Sequence, residues 1–259
     1  MFEKNNSQYR FYNKCKILSS IYMEKEFFME YKVGIIGAMD EEVEILINKM
    51  KNKKTVEKAG MTYYVGELSS KNVIVVKCGI GKINATVCSQ ILISEFGVNV
   101  IINSGVAGAL DNNLNIGDIV VSKDTLNHDM DTTAFGDEYG MIPRMEESIF
   151  KGDTRLIDLA LEVGKKHSIN VVPGRVVSGD QFIASKEKKD WLVEQFNGTC
   201  AEMEGVAIGQ TSYLNNIPFL ILRAISDKAD GSAKVAYEDF KEEAIVNLSN
   251  ILMDMLDAM

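Results

Sequence analysis

Short apolar runs alternate along the chain with segments in which apolar residues recur every three or four positions. Runs that are apolar almost throughout are typical of strands buried on both faces of a sheet, and the second pattern is typical of helices. The alternation predicts an α/β fold: a single-domain three-layer sandwich with a central mixed, mostly parallel sheet covered by helices. Strands are predicted at 31–38, 62–68, 72–78, 98–103, 118–122, 170–178 and 218–225, and helices at 40–51, 82–96, 153–167, 185–195, 204–214 and 236–259.

Three segments depart from this alternation. Residues 1–28 have no clear period and no secretory h-region, so we expect an N-terminal extension that is either disordered or a non-native start, followed by one domain at 29–259. The Gly-rich segment 104–108 is predicted to be a turn. Residues 123–152 have little periodicity and several aromatic side chains, which favours a pocket lid or a subunit contact.

Composition excludes several classes of partner. With 28 basic and 37 acidic residues the net charge is −9, and no Lys/Arg cluster stands out, so nucleic acid and anionic membranes are poor partners. No apolar run approaches the roughly 18 residues that span a bilayer. The four Cys are far apart and there are only two His, which favours a reducing cytoplasm and no metal site.

Common cofactor and nucleophile motifs are missing. The segment Gly79-Ile80-Gly81-Lys82 lacks the earlier glycine of a phosphate-binding loop, and no dinucleotide fingerprint follows the first predicted strand. There is no G-x-S-x-G motif of a serine hydrolase either. We expect no cofactor.

Carboxylates stand in three short motifs where a buried strand should end, at Asp40-Glu41-Glu42, at Glu202 and Glu204, and at Asp227. Taken singly, each is typical of the first turn of a helix, where acids interact favourably with the helix dipole. Ligands of open α/β sheets, however, bind beyond the carboxyl ends of the strands. The sequence therefore predicts one acidic pocket, suited to a substrate that becomes cationic in its transition state. Arg223 needs a carboxylate partner there, for which Glu202 and Glu42 are candidates.

Eight motifs in order carry a family resemblance: GIIGAMDEEVE, CGIGK, INSGVAG, GDIVVS, HDMDTTAFG, VSGDQFI, AEMEG and RAISDKAD. Together they resemble the 5′-methylthioadenosine/S-adenosylhomocysteine nucleosidases of the purine nucleoside phosphorylase superfamily, from about Tyr31 to the C-terminus. The resemblance implies a nucleoside phosphorylase-like fold and hydrolysis of the bond between adenine and a 5-thio-substituted ribose, in methionine salvage. A small nucleoside substrate and a homodimer are implied as well.

The resemblance also implies roles for individual residues. Asp227 corresponds to the acid that protonates adenine N7, and Glu42 to the base that activates water. Arg223 helps to hold that water, Glu204 binds the ribose hydroxyls, and Met203 packs against the sugar.

The remaining implied contacts surround the nucleoside. Phe182 stacks on adenine, the Ile183 backbone reads the base edge, and Tyr237 forms part of a lid. The other implied contacts are Met39 and Ile80 at the ribose and thioether, Val106, Ala107, Gly108, Glu202 and Ser226 around the substrate, and Phe135 and Pro143 from the neighbouring subunit.

Two positions depart from the family pattern, because Val106 stands where the family often has Ser and Tyr237 where relatives commonly have Phe. Three alternatives remain: a hydrolase of another nucleoside such as futalosine, a purine nucleoside phosphorylase, and a non-catalytic nucleoside-binding protein. The acids at 40–42 and a total of only five Arg disfavour a phosphate nucleophile, and the presence of both Asp227 and Glu42 disfavours the binding protein. The sequence does not rank the two thio-nucleosides.

Overall fold

A computed structural model describes residues 31–259, except for the side chains of residues 235, 238 and 239, and the predicted extension at 1–28 lies outside this part. The strands of the described part are β1 (Lys32–Gly37), β2 (Lys51–Lys58), β3 (Met61–Leu68), β4 (Lys71–Lys77), β5 (Val100–Ala109), β6 (Ile119–Asn127), β7 (Ile149–Lys151), β8 (Val171–Ser178), β9 (Cys200–Glu202) and β10 (Phe219–Asp227). Its helices are α1 (Asp40–Lys49), α2 (Lys82–Ser94), α3 (Thr154–His167), α4 (Lys186–Phe196), α5 (Gly205–Asn215) and α6 (Ala233–Ala258), with a 3₁₀ turn at Thr133–Phe135.

The strands form one sheet in the order β10-β6-β8-β9-β5-β1-β4-β3-β2, with β7 beside β6. Since β10 also pairs with β5, the strands β5, β10, β6, β8 and β9 close into a ring. Parallel pairs join β4 to β1, β1 to β5, β5 to β10, β6 to β8 and β8 to β9, while the other pairs are antiparallel. The predicted α/β class with a mixed sheet is confirmed, with parallel pairing concentrated in the centre.

Two groups of helices cover the sheet. Helix α6 packs on β5 and β10 and contacts α1 and α3, while α2 and α5 pack on each other. Local signals begin these helices: the Asp153 carboxylate accepts the backbone N–H of Leu156 at the start of α3, and the Ser185 hydroxyl accepts that of Lys188 at the start of α4. Within residues 31–259, no helix combines the length and the apolar composition needed to cross a membrane.

The central strands are buried along nearly their whole length. All nine residues of β10 are buried, including Arg223 and Asp227. Apolar side chains from β1, β4, β5 and β10 fill the two sides of the sheet. Charged side chains are also buried on two other strands, at Glu202 of β9 and Asp124 of β6.

The segment 104–108 is not the turn that its glycines predict, because it forms the second half of β5. Residues Gly105 and Gly108 pair in parallel with Arg223 and Asp227 of β10. A β-carbon built at Gly105 would overlap Arg223 Nη1 and lie 2.5 Å from Glu42 Oε1. Glycine is needed at this position for the close approach of charged side chains rather than for a turn.

Three short or polar strands, β2, β7 and β9, are absent from the sequence prediction. Strand β2 is rich in Lys and mostly exposed, because it lies at the edge of the sheet and pairs only with β3. Strand β9 has three residues, too few for a period to be visible. The predicted loop 123–152 is also shorter than expected, because β6 continues to Asn127 and β7 begins at Ile149.

Candidate active site

A cavity of about 350 Å³ lies where β1, β5, β9 and β10 end. Fourteen of the residues singled out from the sequence line it together. They are Met39, Glu42, Ile80, Val106, Ala107, Gly108, Phe182, Glu202, Met203, Glu204, Arg223, Ser226, Asp227 and Tyr237. The carboxylates that the sequence separates by more than 180 positions therefore share one cavity.

Glu42 is the third residue of α1, and its carboxylate turns back over the helix start. Its Oε2 accepts the N–H groups of Ala38 (2.6 Å) and Met39 (3.1 Å), and its Oε1 accepts that of Val106 (3.1 Å). Burial raises the pKa of Glu42, and the Arg223 cation and these N–H groups oppose that rise. A buried carboxyl group of raised pKa is suited to accepting a proton.

Arg223 is buried and surrounded by acceptors. Its Nη2 donates to Asn103 Oδ1, to Glu202 Oε2 and, at 3.4 Å, to Glu204 Oε2. Its Nη1 donates to the Val106 carbonyl at 3.4 Å. Of the two predicted partners, Glu202 forms the ion pair. The guanidinium therefore supplies the positive charge that makes several buried carboxylates tolerable.

Glu202 and Glu204 differ in how their oxygens are used. Glu202 accepts hydrogen bonds from the Ser178 hydroxyl and from the N–H groups of Glu204 and Gly205, in addition to Arg223. Glu204 accepts the Gly81 N–H at 2.8 Å and the weaker contact from Arg223. Burial raises the pKa of Glu204, against the lowering effect of Arg223. The carboxylate of Glu202 is thus fully engaged in hydrogen bonds within the protein, whereas the carboxylate of Glu204 can accept further hydrogen bonds from a ligand.

Asp227 is the last residue of β10 and is buried. Its Oδ1 accepts the Ala229 N–H at 2.7 Å, and its Oδ2 accepts the Ser226 hydroxyl at 3.0 Å. Burial raises the pKa of Asp227, which these two hydrogen bonds and the Lys189 cation lower and Asp230 raises. A carboxyl group in this state can deliver a proton to a bound base.

Aromatic side chains border the same cavity. Phe182 is 54% exposed and meets Tyr237 edge-to-face, with 6.2 Å between ring centroids. The Tyr237 hydroxyl contacts Met39 Sδ at 3.1 Å, and this contact joins the start of α6 to the start of α1. An exposed ring beside buried acids is suited to stacking on a planar ligand.

Three predicted residues do not line the cavity of their own chain. The Ile183 side chain packs in an apolar cluster with Leu192 and Ala229. Phe135 is 88% exposed, and Pro143 is exposed as well. Both lie in the irregular stretch after β6.

Four residues at the site were missed by sequence reasoning. Ala38 and Ala201 line the cavity, while Asn103 and Ser178 hold Arg223 and Glu202 from β5 and β8. Asn103 and Ser178 follow apolar stretches of their strands, which is the one signal that could have identified them.

Comparisons with known proteins show the family of the chain. Residues 32–257 match the phosphorylase superfamily. A 5′-methylthioadenosine/S-adenosylhomocysteine nucleosidase of Staphylococcus aureus (strain bovine RF122 / ET3-1) is 43% identical over 218 residues, which cover 84% of this chain and 95% of that protein.

Two solved structures are similar over nearly their full length. The Neisseria meningitidis nucleosidase of the same name, in complex with methylthio-immucillin-A, has a TM-score of 0.86 and 35% identity and covers 89% of this chain and 100% of that one. The futalosine hydrolase of Helicobacter pylori strain 26695 has a TM-score of 0.85 and 34% identity, covering 89% and 99%.

Proposed function

The chain belongs to the phosphorylase superfamily and, within it, to the 5′-methylthioadenosine/S-adenosylhomocysteine nucleosidases, and from this premise we propose that it hydrolyses the N-glycosidic bond of both nucleosides. The products are adenine and the 5-thio-substituted ribose, for methionine salvage and the recycling of methyl-transfer products. The observation that carries the proposal is the cavity in which buried Glu42 and Asp227 meet Glu204 and Arg223.

Asp227 acts as the general acid. Adenine is a poor leaving group as an anion, so a proton must reach N7 as the bond breaks. The raised pKa of Asp227, caused by burial, keeps a proton available closer to neutrality than an exposed Asp would. Ser226 and Ala229 fix the direction of the carboxyl group.

Glu42 acts as the general base. It takes a proton from the water that attacks the anomeric carbon, and Arg223 supports the orientation of that water. Bond cleavage builds positive charge on the ribosyl ring, which nearby carboxylates stabilise in a site that excludes water. The two acids thus have separate roles: Asp227 protonates adenine, and Glu42 deprotonates the attacking water.

The other cavity residues orient the nucleoside. Glu204 binds the ribose hydroxyls, with Met203 against the sugar, and Phe182 stacks on adenine. Glu202 holds Arg223 in position. No cofactor takes part in these steps.

Water is the better nucleophile for this cavity than phosphate. A phosphate ion would meet Glu42, Glu202 and Glu204, whereas the cavity lining contributes a single cation, Arg223, whose Nη2 already faces two of these carboxylates. The negative charges of a phosphate ion and of these carboxylates would repel each other strongly in a buried site.

Futalosine hydrolysis is the second candidate. The structural similarity to the Helicobacter pylori futalosine hydrolase supports it. The TM-score to that enzyme, 0.85, nearly equals the 0.86 to the Neisseria meningitidis nucleosidase. The higher identity to the Staphylococcus aureus nucleosidase favours the thio-nucleosides.

A cytoplasmic homodimer is the proposed working form. Large apolar side chains are exposed at Ile83 (78%), Phe135 (88%) and Leu214 (62%), and a partner subunit would cover such a surface. In this dimer Phe135 and Pro143 reach the alkylthio end of the partner's cavity.

The test is release of the free purine base from methylthioadenosine, S-adenosylhomocysteine and futalosine in parallel, which is adenine from the two thio-nucleosides and hypoxanthine from futalosine. Both thio-nucleosides should yield adenine, and Glu42→Gln should remove the activity because an amide cannot accept the proton. Release from futalosine alone would select the second candidate, and release from none of the three would reject both.

A further inference from the structure

An ion pair lies directly beside two residues that line the cavity. Lys241 Nζ is 3.1 Å from Glu41 Oε1 and 5.3 Å from the centre of the Tyr237 ring. The Tyr237 hydroxyl in turn contacts Met39 Sδ, and both of these residues line the cavity. A charged pair of opposite sign is therefore one side chain away from the cavity.

The cavity side of this region is apolar. Met39 and Ile80 offer a thioether and an alkyl group, which suit the 5′-sulfur of a thio-nucleoside and a methyl group attached to it. A longer 5′-substituent must pass beyond these side chains toward solvent. In S-adenosylhomocysteine the substituent ends in an ammonium group and a carboxylate on one carbon atom.

We infer that Lys241 and Glu41 form a subsite for the amino-acid end of the 5′-substituent, with Lys241 binding its carboxylate and Glu41 its ammonium group. The inference rests on the proposed function, and it makes this pair a determinant of the activity on S-adenosylhomocysteine relative to that on methylthioadenosine. Tyr237 contacts both Lys241 and Met39, so in this assignment it guides the 5′-substituent from the cavity toward the pair.

Charge alternation explains why the existing pair can accept this ligand. A zwitterion laid against an ion pair places each of the four charges next to opposite ones, so neither Lys241 nor Glu41 loses its partner. The two side chains are 26% and 39% exposed. Solvent screening at that exposure limits each contact to the strength of a surface ion pair.

The pair also ties α6 to α1, and this anchoring role must be separated from ligand binding. Anchoring would affect every substrate, because the start of α6 covers the cavity for all of them. Tail recognition affects only substrates that carry the charges. The ratio of kcat/KM for S-adenosylhomocysteine to that for methylthioadenosine therefore isolates the subsite.

The experiment measures this ratio in Lys241→Met, Lys241→Arg and Glu41→Gln. Loss of either charge should lower the ratio about two- to fivefold, as expected for partly exposed charge contacts. Lys241→Arg should keep most of the wild-type ratio. The matched control is Lys77→Met, which removes a similar pair to Asp40 in the same first turn of α1 (2.8 Å) and should leave the ratio at its wild-type value.

Substrate analogues assign each charge. An analogue without the ammonium group should respond to Lys241→Met but not to Glu41→Gln, and one without the carboxylate should respond the other way round. Equal losses on both natural substrates, or the same change in ratio in Lys77→Met, would overturn the subsite. Failure of the proposed function is distinct, because the wild-type protein would then release no adenine from methylthioadenosine.

Discussion

At the scale of single residues, the proposed mechanism depends on how the neighbours of Asp227 set the protonation of its carboxyl group. Its carboxyl group accepts two hydrogen bonds and lies in a buried position at the end of β10. Burial has the larger effect and raises the pKa, which keeps the proton that adenine must receive. The two hydrogen bonds fix the orientation of the carboxyl group and lower its pKa, which offsets part of the increase caused by burial.

Asp227→Asn retains the shape of the side chain but has no transferable proton. General acid catalysis typically contributes about 10²–10⁴-fold, so kcat should fall by at least that factor while nucleoside binding persists. Single-turnover adenine release and equilibrium binding of the nucleoside measure the two effects. Asp254→Asn is the control and should retain wild-type kcat, because Asp254 is partly exposed and contacts His167 Nε2 at 2.7 Å. Near wild-type turnover in Asp227→Asn would remove this residue from its role.

Substitution of Lys189 offers a second test of the role of protonated Asp227. Its ammonium group is buried and donates to the Lys228 carbonyl at 2.8 Å, next to Asp227 in sequence. This cation lowers the pKa of Asp227. Activity that requires protonated Asp227 is lost as pH rises through its pKa. Lys189→Met should therefore move the alkaline limb of the kcat/KM profile to higher pH.

The control for this shift is Lys186→Met in the same helix, because Lys186 is exposed and pairs with Asp190. Its pH profile should match the wild type. A limb that stays in place in Lys189→Met, or moves to lower pH, would mean that Asp227 does not set the alkaline limb.

At the scale of elements, strand β5 shows why glycine can mislead a sequence prediction. The segment 104–108 has the composition of a turn, yet it continues the strand because Arg223 and Glu42 need the space beside Gly105. That reason lies in residues more than 60 positions away and is invisible locally. The edge strand β2 was missed for a different reason, since its Lys-rich exposed face has no apolar period.

Gly105→Ala tests this packing. The added methyl group must displace the Arg223 guanidinium or the Glu42 carboxylate, and overpacking of this kind costs about 1–3 kcal/mol of unfolding free energy. Urea unfolding and adenine release should both report a loss. Gly231→Ala is the control, since a β-carbon there meets no atom within 4 Å. Wild-type stability in Gly105→Ala would contradict the close packing of Arg223 and Glu42 against Gly105.

At the scale of the whole molecule, the ends of distant strands assemble one site, and this much could be predicted. Apolar strands followed by acids, together with eight ordered motifs, identified Glu42 and Asp227 as neighbours. Glu202 was a predicted partner of Arg223, but the contact of Arg223 with Asn103 could not be predicted, because Asn103 lies 120 positions before it and the pairing of β5 with β10 joins them. Strand order is a property of the folded sheet.

Assembly is the prediction that belongs to this scale. The homodimer should give about twice the chain mass of 28.8 kDa in light scattering. Phe135→Asp places a charge on the exposed apolar surface and should weaken both the dimer and activity on methylthioadenosine. Val246→Asp, on an exposed part of α6, is the control and should change neither. A fully active monomer would contradict the proposal that Phe135 contributes to the cavity of a partner subunit.

The identity of the nucleophile tests the central claim most directly. Methylthioadenosine is incubated with the protein in the presence and absence of inorganic phosphate, and the sugar product is identified by mass spectrometry. In the proposed mechanism Glu42 takes a proton from water and the buried carboxylates repel an anion, so both reactions should give free 5-methylthioribose and adenine at the same rate. A ribose 1-phosphate product, or adenine release that requires phosphate, would contradict hydrolysis.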